Sequence, residues 1–249
     1  MSDRELYTLA GTNELFRRGA EEFVRIAKDS LEDRGVFNVV LSGGSTPKGL
    51  FSLLAADETL RAQVQWRKTN FFWADERHVP PDHPDSNFRM ANEALLSKLS
   101  IDSKRMFRIK GELENTEAAA EEYERALIGH FYLAEGQLPR FDLVLLGMGP
   151  DGHTASLFPG TKALHEQEHL VVSNWVGKFD TDRITMTARV FNCAANVVFL
   201  VSGEDKAPAL KSVLEGPFEP EQLPAQLIRP VDGRLLWIVD QQAARLLQT

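Results

Sequence analysis

The chain has 249 residues, of which 43% are hydrophobic and 26% charged, which is typical of a globular protein with a full hydrophobic core. Its formal net charge of −8 argues against binding to nucleic acid or to an anionic membrane, since both need a basic surface. A single cysteine excludes an internal disulfide, and no run of residues approaches the roughly 20 apolar residues that span a bilayer. The first residues lack the basic-then-apolar pattern of a secretion signal, so we expect a cytoplasmic protein.

Apolar spacing and turn residues predict that helices and strands alternate along the chain. The predicted helices are 12–33, 50–54, 87–99, 116–134, 202–214 and a short one after residue 240. The predicted strands are 36–41, 70–74, 106–109, 141–146, 170–172, 184–187, 196–201 and 235–239, the last of which should close the sheet. Ser86, Thr116 and Asp240 are the predicted N-caps. This alternation is typical of an α/β fold with a doubly wound, mostly parallel sheet flanked by helices, and we expect residues 1–249 to form a single domain.

The segment 147–160, with the sequence GMGPDGHTASLFPG, follows the predicted strand 141–146 and is the most informative part of the chain. Its glycines allow a sharp turn at the carboxyl end of a strand, which is where open α/β sheets bind ligands. Asp151 and His153 stand in this turn, two residues apart. A histidine can take a proton from water and return it, and a neighbouring acid can orient its ring. A histidine in a turn is often structural, but the glycines and the adjacent acid favour a functional role.

A second glycine turn, Ser42-Gly-Gly-Ser-Thr46, follows the predicted strand 36–41. Gly43 and Gly44 free the backbone amides to face a ligand, and Ser45 and Thr46 add hydroxyl groups. Unpaired amides at the start of a helix form an anion cradle that suits phosphate. The Gly-Lys-Ser/Thr ending of a Walker A loop is missing. A turn capped by Ser or Thr is the structural alternative.

Charged residues follow two further predicted strands. Asp75-Glu-Arg77 could position the hydroxyls and the negative group of a sugar, although an anchoring role is the better interpretation of Glu76. Lys206 lies in the first turn of a predicted helix, where a cation is unfavourable unless an anion compensates it. Arg183, just before the strand 184–187, could add a second cation. Ordinary surface positions are the alternative for both Lys206 and Arg183.

A metal site and a dinucleotide site are the competing interpretations of two segments. Loop 78–85 contains two histidines and two aspartates, but their spacing matches no familiar set of metal ligands. The spacing Gly147-x-Gly149-x-x-Gly152 matches a dinucleotide fingerprint, but Asp151 inside the turn would oppose a pyrophosphate. We therefore expect neither a metal in loop 78–85 nor a dinucleotide at this turn.

Taken together, the four motifs resemble the glucosamine-6-phosphate isomerase/6-phosphogluconolactonase family, and within it the 6-phosphogluconolactonases. The blocks that carry the resemblance are 41–47, 73–77, 146–159 and 202–207, in the family's order, and the match extends from about Asn13 to Ala244. The resemblance implies a fold shared with glucosamine-6-phosphate deaminase. It also implies hydrolysis of 6-phospho-D-glucono-1,5-lactone to 6-phosphogluconate in the oxidative pentose phosphate pathway, without a cofactor.

The resemblance also implies roles for individual residues. His153 would be the general base, assisted by Asp151, with Asp75 near the sugar ring. The residues that would bind the phosphate or the sugar are Gly43, Gly44, Ser45, Arg77, Arg183 and Lys206. Which cation contacts the phosphate stays open, as does the oligomeric state.

Two other functions compete with this one. Glucosamine-6-phosphate deaminase and other aldose–ketose isomerases need a carboxylate that moves a proton between C1 and C2, which Asp75 and His153 could supply in part. Relatives of that kind carry Asn-Glu-Pro after the Asp-Gly-His turn, whereas this chain reads Ser156-Leu-Phe-Pro159, so the assisting glutamate is missing. A non-catalytic sugar-phosphate sensor would need a helix-turn-helix segment, and only about ten residues precede the first predicted helix. We therefore expect an enzyme that acts on a small sugar phosphate.

Overall fold

This computed structural model describes residues 4–248. Residues 1–3, which entered the expectation about a secretion signal, lie outside them. The strands are β1 (Glu5–Leu9), β2 (Phe37–Leu41), β3 (Thr69–Trp73), β4 (Asp75–Arg77), β5 (Met106–Phe107), β6 (Leu143–Leu146), β7 (Val171–Val176), β8 (Thr181–Met186), β9 (Asn196–Val201) and β10 (Arg234–Asp240). The helices are α1 (Thr12–Arg34), α2 (Ser45–Ala56), α3 (Glu58–Arg61), α4 (Asn87–Ala94), α5 (Thr116–Phe131), α6 (Ala188–Asn192), α7 (Ala207–Glu215) and α8 (Gln241–Ala244).

Seven strands form a parallel sheet in the order β1-β10-β9-β6-β2-β3-β5. Strands β2, β3 and β6 are buried at every position, as expected for a parallel sheet covered on both faces. The prediction of a mostly parallel sheet flanked by helices is confirmed. The chain runs from β2 to one edge of the sheet and then returns to place β6 on the other side of β2. This reversal between β2 and β6 opens a crevice at the carboxyl ends of the two strands, where such sheets bind ligands.

Apolar side chains of α1 and of the sheet meet in one core. Phe23 and Ile26 are buried on one face of α1, and the ring of Phe23 contacts that of Phe37 in β2 edge-on, with centroids 5.3 Å apart. In the other half of the sheet, Phe199 stacks on Trp237 at 3.9 Å. Burying a side chain such as Phe23 contributes about 1.5–3 kcal/mol to stability, so these contacts hold the strands that carry the crevice. None of the helices in residues 4–248 is long and apolar enough to cross a membrane.

The sheet differs from the prediction in two respects. Strand β1 was missed, because its central residues are exposed and show no apolar alternation. It pairs with β10, so residues 235–239 do not close the sheet. Strands β7 and β8 are not in the parallel sheet but form a separate antiparallel sheet with β4, in the order β4-β8-β7. Pairing between distant strands is not visible in a sequence window.

Several helix ends also differ from the prediction. Asn115, and not Thr116, caps α5, because its Oδ1 accepts the backbone N–H groups of residues 117 and 118, while the Thr116 hydroxyl lies 2.7 Å from that of Ser173. Helix α4 ends at Ala94, and α7 begins at Ala207 after a 3-10 turn over 204–206. The predicted caps Ser86 and Asp240 are confirmed, since each side chain accepts a backbone N–H of its helix.

Candidate active site

A cleft with a volume of about 240 Å³ lies where the predicted motifs meet. The segments that follow β2, β3, β6 and β9 all contribute to it, so it opens at the carboxyl ends of parallel strands. Its walls are segments 42–47, 147–150 and 200–202, with Asp75, Arg77, Asn87, His153, Ala155 and Lys206. The structure therefore brings all the predicted site residues together except Asp151 and Arg183, which lie outside this lining.

The glycine turn at the start of α2 lines the cleft. Gly44 is the N-cap with φ of 103°, a left-handed conformation that favours glycine, and no side chain caps the helix. The capping alternative for Ser45 and Thr46 is therefore wrong, and the helix begins at Ser45. The first N–H groups of a helix have no partner within it, so they are available to an anion. Gly43 lies against Asn87, since a Cβ on Gly43 would stand 1.8 Å from the Asn87 Oδ1.

His153 and Asp151 form a hydrogen-bonded pair in the turn after β6, between His153 Nδ1 and Asp151 Oδ1. The imidazole stacks on the Phe158 ring, with centroids 4.1 Å apart, and Asp151 Oδ2 accepts a hydrogen bond from Lys178 Nζ at 2.9 Å. The backbone of the turn is tight, because Gly149 N–H donates to the His153 carbonyl at 2.9 Å. A Cβ on Gly149 would stand 2.0 Å from the imidazole, so only glycine fits there.

The ionised state of Asp151 determines which ring nitrogen of His153 carries the proton. Burial alone would raise the pKa of Asp151, but the hydrogen bonds from His153 and Lys178 outweigh it and hold that pKa well below its usual range. An ionised carboxylate accepts hydrogen bonds only, so His153 Nδ1 is the donor. In the neutral imidazole Nε2 then carries the lone pair, and the ring, 23% exposed, borders the cleft.

Asp75 is buried and held from two sides. Ser156 Oγ donates to its Oδ2 at 2.7 Å, and Asn87 Nδ2 donates to its Oδ1 at 3.2 Å and to its carbonyl at 2.9 Å. Ser156 lies in a turn in which Thr154 and Leu157 form an isolated β-bridge. These bonds join the segments after β3 and β6 and direct a carboxylate at the cleft.

Glu76 has an anchoring role, as expected, although no cation pairs with it in the described residues. Its two carboxylate oxygens accept the backbone N–H groups of Asn87 and Phe88 at 2.7 and 2.8 Å, at the start of α4. Burial is the largest influence and raises the pKa of Glu76, against the effect of these hydrogen bonds. The helix N-terminus favours the negative charge. Glu76 thereby places Asn87 next to Asp75.

The predicted cations do not all occupy equivalent positions. Lys206 borders the cleft and also pairs with Asp205, while Arg77 borders it and donates to the carbonyl of Asp85 at 2.6 Å. Arg183 lies opposite Arg77 in the β4–β8 ladder. Burial, and then the charge of Arg77, lower the pKa of Arg183, and its buried Nε has no hydrogen-bond partner in the described part of the chain. An anion near Arg77 and Arg183 would offset this repulsion.

Two residues of the site were missed by sequence reasoning. Lys178 contacts Asp151 from the turn between β7 and β8, and no motif marks it. Asn87 was predicted only as the start of a helix.

In loop 78–85, the ring of His78 lies 2.9 Å from the Leu113 carbonyl and that of His83 accepts the N–H of Asp85 at 3.2 Å. Across residues 4–248, no three His, Cys, Asp or Glu side chains cluster as metal ligands.

Comparison with known proteins identifies the family. The model of the family described as glucosamine-6-phosphate isomerases/6-phosphogluconolactonase matches residues 10–237. The chain belongs to this family. It is 42% identical over 225 residues to a 6-phosphogluconolactonase of Synechocystis sp., with 90% of each chain covered, and 41% identical over 215 residues to one of Nostoc sp., with 86% of each covered.

Solved structures agree with this assignment. The 6-phosphogluconolactonase of Trypanosoma cruzi superimposes with a TM-score of 0.87 at 29% identity, covering 100% of this chain and 99% of that one. That of Thermotoga maritima gives a TM-score of 0.81 at 32% identity, covering 96% and 100%. A monomeric glucosamine-6-phosphate deaminase gives a TM-score of 0.80, but at 21% identity it shows the shared fold alone.

Proposed function

We propose that this chain is a 6-phosphogluconolactonase, which hydrolyses 6-phospho-D-glucono-1,5-lactone to 6-phosphogluconate. The names of its relatives support this substrate. The observation that carries the proposal is that the imidazole of His153, oriented by Asp151, borders the same cleft as the glycine turn at the start of α2. A base and an anion cradle in one cleft suit an ester that carries a phosphate.

His153 is the general base in this proposal. A lactone is an activated ester, so its hydrolysis needs an aligned water, a base and stabilisation of the developing oxyanion. Nε2 of His153 takes a proton from water as the oxygen attacks C1, and the imidazolium then returns a proton to the departing ring oxygen. The ionised Asp151 stabilises the imidazolium through Nδ1. No covalent intermediate is needed.

The phosphate lies on the amides of Gly43–Thr46, next to Lys206. These groups line the cleft, whereas Arg183 does not, so Arg183 acts beside Arg77 rather than as the primary phosphate ligand. A cation at the start of α7 opposes the helix dipole, which the phosphate charge offsets. Fixing the phosphate at the end remote from C1 aligns the carbonyl carbon with the base and reduces the entropic barrier.

Asp75 contacts the hydroxyls of the sugar ring. Its carboxylate is buried and already accepts hydrogen bonds from Ser156 and Asn87, so its position is fixed before the substrate binds. This arrangement supports a role in orientation. The proton transfer between C1 and C2 that an isomerase needs would require a carboxylate free to move a proton.

The proposal is tested by following acid release from the lactone at neutral pH against the spontaneous rate. We expect acid release above the background, unchanged by a metal chelator. The matched assay measures ammonia release from glucosamine 6-phosphate, for which we expect no activity. Ammonia release with background lactone hydrolysis would replace the proposal with the deaminase alternative. Loss of activity in chelator would contradict the metal-free chemistry.

A further inference from the structure

The turn between β7 and β8 contacts Asp151 directly, and it contacts the phenyl ring that stacks on His153. Lys178, in this turn, donates from Nζ to Asp151 Oδ2 at 2.9 Å, on the oxygen that His153 does not use. The carboxylate is therefore shared between a lysine and an imidazole, one on each oxygen. With both oxygens engaged, the carboxylate plane cannot rotate without breaking one of the two bonds.

The next residue of the turn supports the imidazole through Phe158. Phe179 contacts the ring of Phe158 edge-on, with centroids 5.7 Å apart and an interplanar angle of 78°. Phe158 in turn stacks on His153. Adjacent residues of one turn thus restrain the acid through an ion pair and the base through an aromatic stack.

We propose that Lys178 is a positioning residue, which acts through Asp151 to hold His153 in the orientation that activates water. The inference rests on the proposed lactonase function. Lys178 is not among the residues that line the cleft, so it acts on the reaction through its ion pair and not by contact with the lactone. It comes from a different sheet from the one that carries the glycine turns, and so couples the β4-β8-β7 sheet to the chemistry of the parallel sheet.

The same ion pair contributes little to the stability of the fold. The effect of Lys178 on catalysis can therefore be measured apart from any effect on stability. The Lys178 side chain is 54% exposed, and solvent and salt screen an ion pair at such a position, so the pair adds little to stability. Positioning is more sensitive, because a displacement of about 1 Å in a catalytic group can lower a rate by a factor on the order of 100. Replacement of Lys178 should therefore affect turnover well before it affects stability.

The test compares Lys178→Met with Lys178→Arg in the lactone assay. For Lys178→Met we expect kcat to fall about tenfold with KM unchanged, because the phosphate ligands are untouched. For Lys178→Arg we expect a kcat close to that of the parent, since a guanidinium can also pair with Asp151. Lys110→Met is the control, because Lys110 is similarly exposed and pairs with Glu122 away from the cleft. A raised KM with normal kcat would overturn the proposal and make Lys178 a substrate ligand.

A double-mutant cycle separates positioning from a direct role. In an Asp151→Asn background, Lys178→Met should have no further effect on kcat, because the residue through which it acts is already altered. Losses of kcat that multiply in the double variant would contradict the proposal.

If the unaltered chain shows no lactone hydrolysis, the proposed function fails, and the inference about Lys178 is then tested by NMR alone. The proton resonance of His153 Nδ1–H, observed in the parent, should broaden or vanish in Lys178→Met, and an unchanged resonance would refute the positioning role.

Discussion

Ser156 donates a 2.7 Å hydrogen bond from Oγ to Asp75 Oδ2, joining residues 81 positions apart in the chain. Both side chains are buried, and Asp75 borders the cleft while Ser156 lies behind it, outside the lining. The bond gives Ser156 a function that does not require it to be a nucleophile.

Ser156→Ala should lower kcat/KM about fivefold, since a hydrogen bond to a charged group is worth about 1.5–3 kcal/mol and part of that orients Asp75. Steady-state kinetics on the lactone measure this effect. Ser30→Ala is the control, because Ser30 Oγ donates a buried 2.8 Å hydrogen bond within α1, far from the cleft. Ser30→Ala should leave kcat/KM unchanged, and a normal kcat/KM in Ser156→Ala would separate Asp75 from the reaction.

Lys206→Met should raise KM for the lactone at least tenfold, or about 1.4 kcal/mol of binding, with a smaller effect on kcat. The reason is that Lys206 faces the cradle that holds the phosphate in our proposal. Lys211→Met in α7 is the matched control, because Lys211 pairs with Glu215 outside the cleft. An unchanged KM in Lys206→Met would place the phosphate elsewhere, with Arg77 and Arg183 as the next residues to replace.

Gly43→Ala should reduce kcat/KM more than tenfold and destabilise the fold by about 1–3 kcal/mol, because the added methyl would displace the Asn87 side chain from Asp75. Thermal unfolding and lactone kinetics measure the two effects. Gly129→Ala is the control, since a methyl group at this exposed position in α5 would meet no atom within 4 Å and should add about 0.5–1 kcal/mol of stability. Full activity in Gly43→Ala would mean that the cradle tolerates a side chain.

Asp240→Asn should destabilise the protein by about 2 kcal/mol at pH 7, because Asp240 accepts hydrogen bonds from Ser202, from Gly203 and from the start of α8. Burial opposes ionisation, but these bonds prevail and lower the pKa of Asp240. Because the pKa of Asp240 is lower in the folded chain than its ordinary value of 3.8, the ionised carboxylate stabilises the fold at pH values above 3.8. This stabilisation is lost as the pH falls towards the pKa of Asp240 in the folded chain.

Urea unfolding at a series of pH values checks this account of Asp240. The difference in the free energy of unfolding between Asp240→Asn and the parent should become smaller below pH 3.8. Asp82→Asn, at an exposed position, should show no difference at any pH. A difference in the free energy of unfolding that stays constant at every pH would mean that the charge of Asp240 does not contribute to stability.

The sequence predicted the parallel sheet because its strands are short apolar runs that end in glycine or acidic residues. It also predicted that residues 42–46, Asp75, Arg77, His153 and Lys206 meet at one edge of the sheet, and these residues line one cleft, since the carboxyl ends of parallel strands meet there. The antiparallel sheet of β4, β7 and β8 was not predicted, because it depends on register between strands about 100 residues apart. The single-domain interpretation stays a prediction.

The parts of the site that escaped prediction share one cause. Lys178 reaches Asp151 only because β7 and β8 pair, and Asn87 reaches Asp75 only because Glu76 holds the start of α4. A lysine in a turn and an asparagine at a helix start are common in any sequence, so neither stands out before the fold is known. Side chains that support a catalytic group are set by tertiary contacts, which a linear pattern does not contain.

The most direct test of the central claim is lactone hydrolysis by His153→Ala, measured together with the binding of 6-phosphogluconate. His165→Ala is the control, because His165 is 67% exposed and contacts Glu221 outside the cleft. We predict that His153→Ala binds 6-phosphogluconate within a few-fold of the parent while kcat falls by a factor on the order of 100 or more. Parent-like turnover in His153→Ala would contradict the account and remove the imidazole from the reaction.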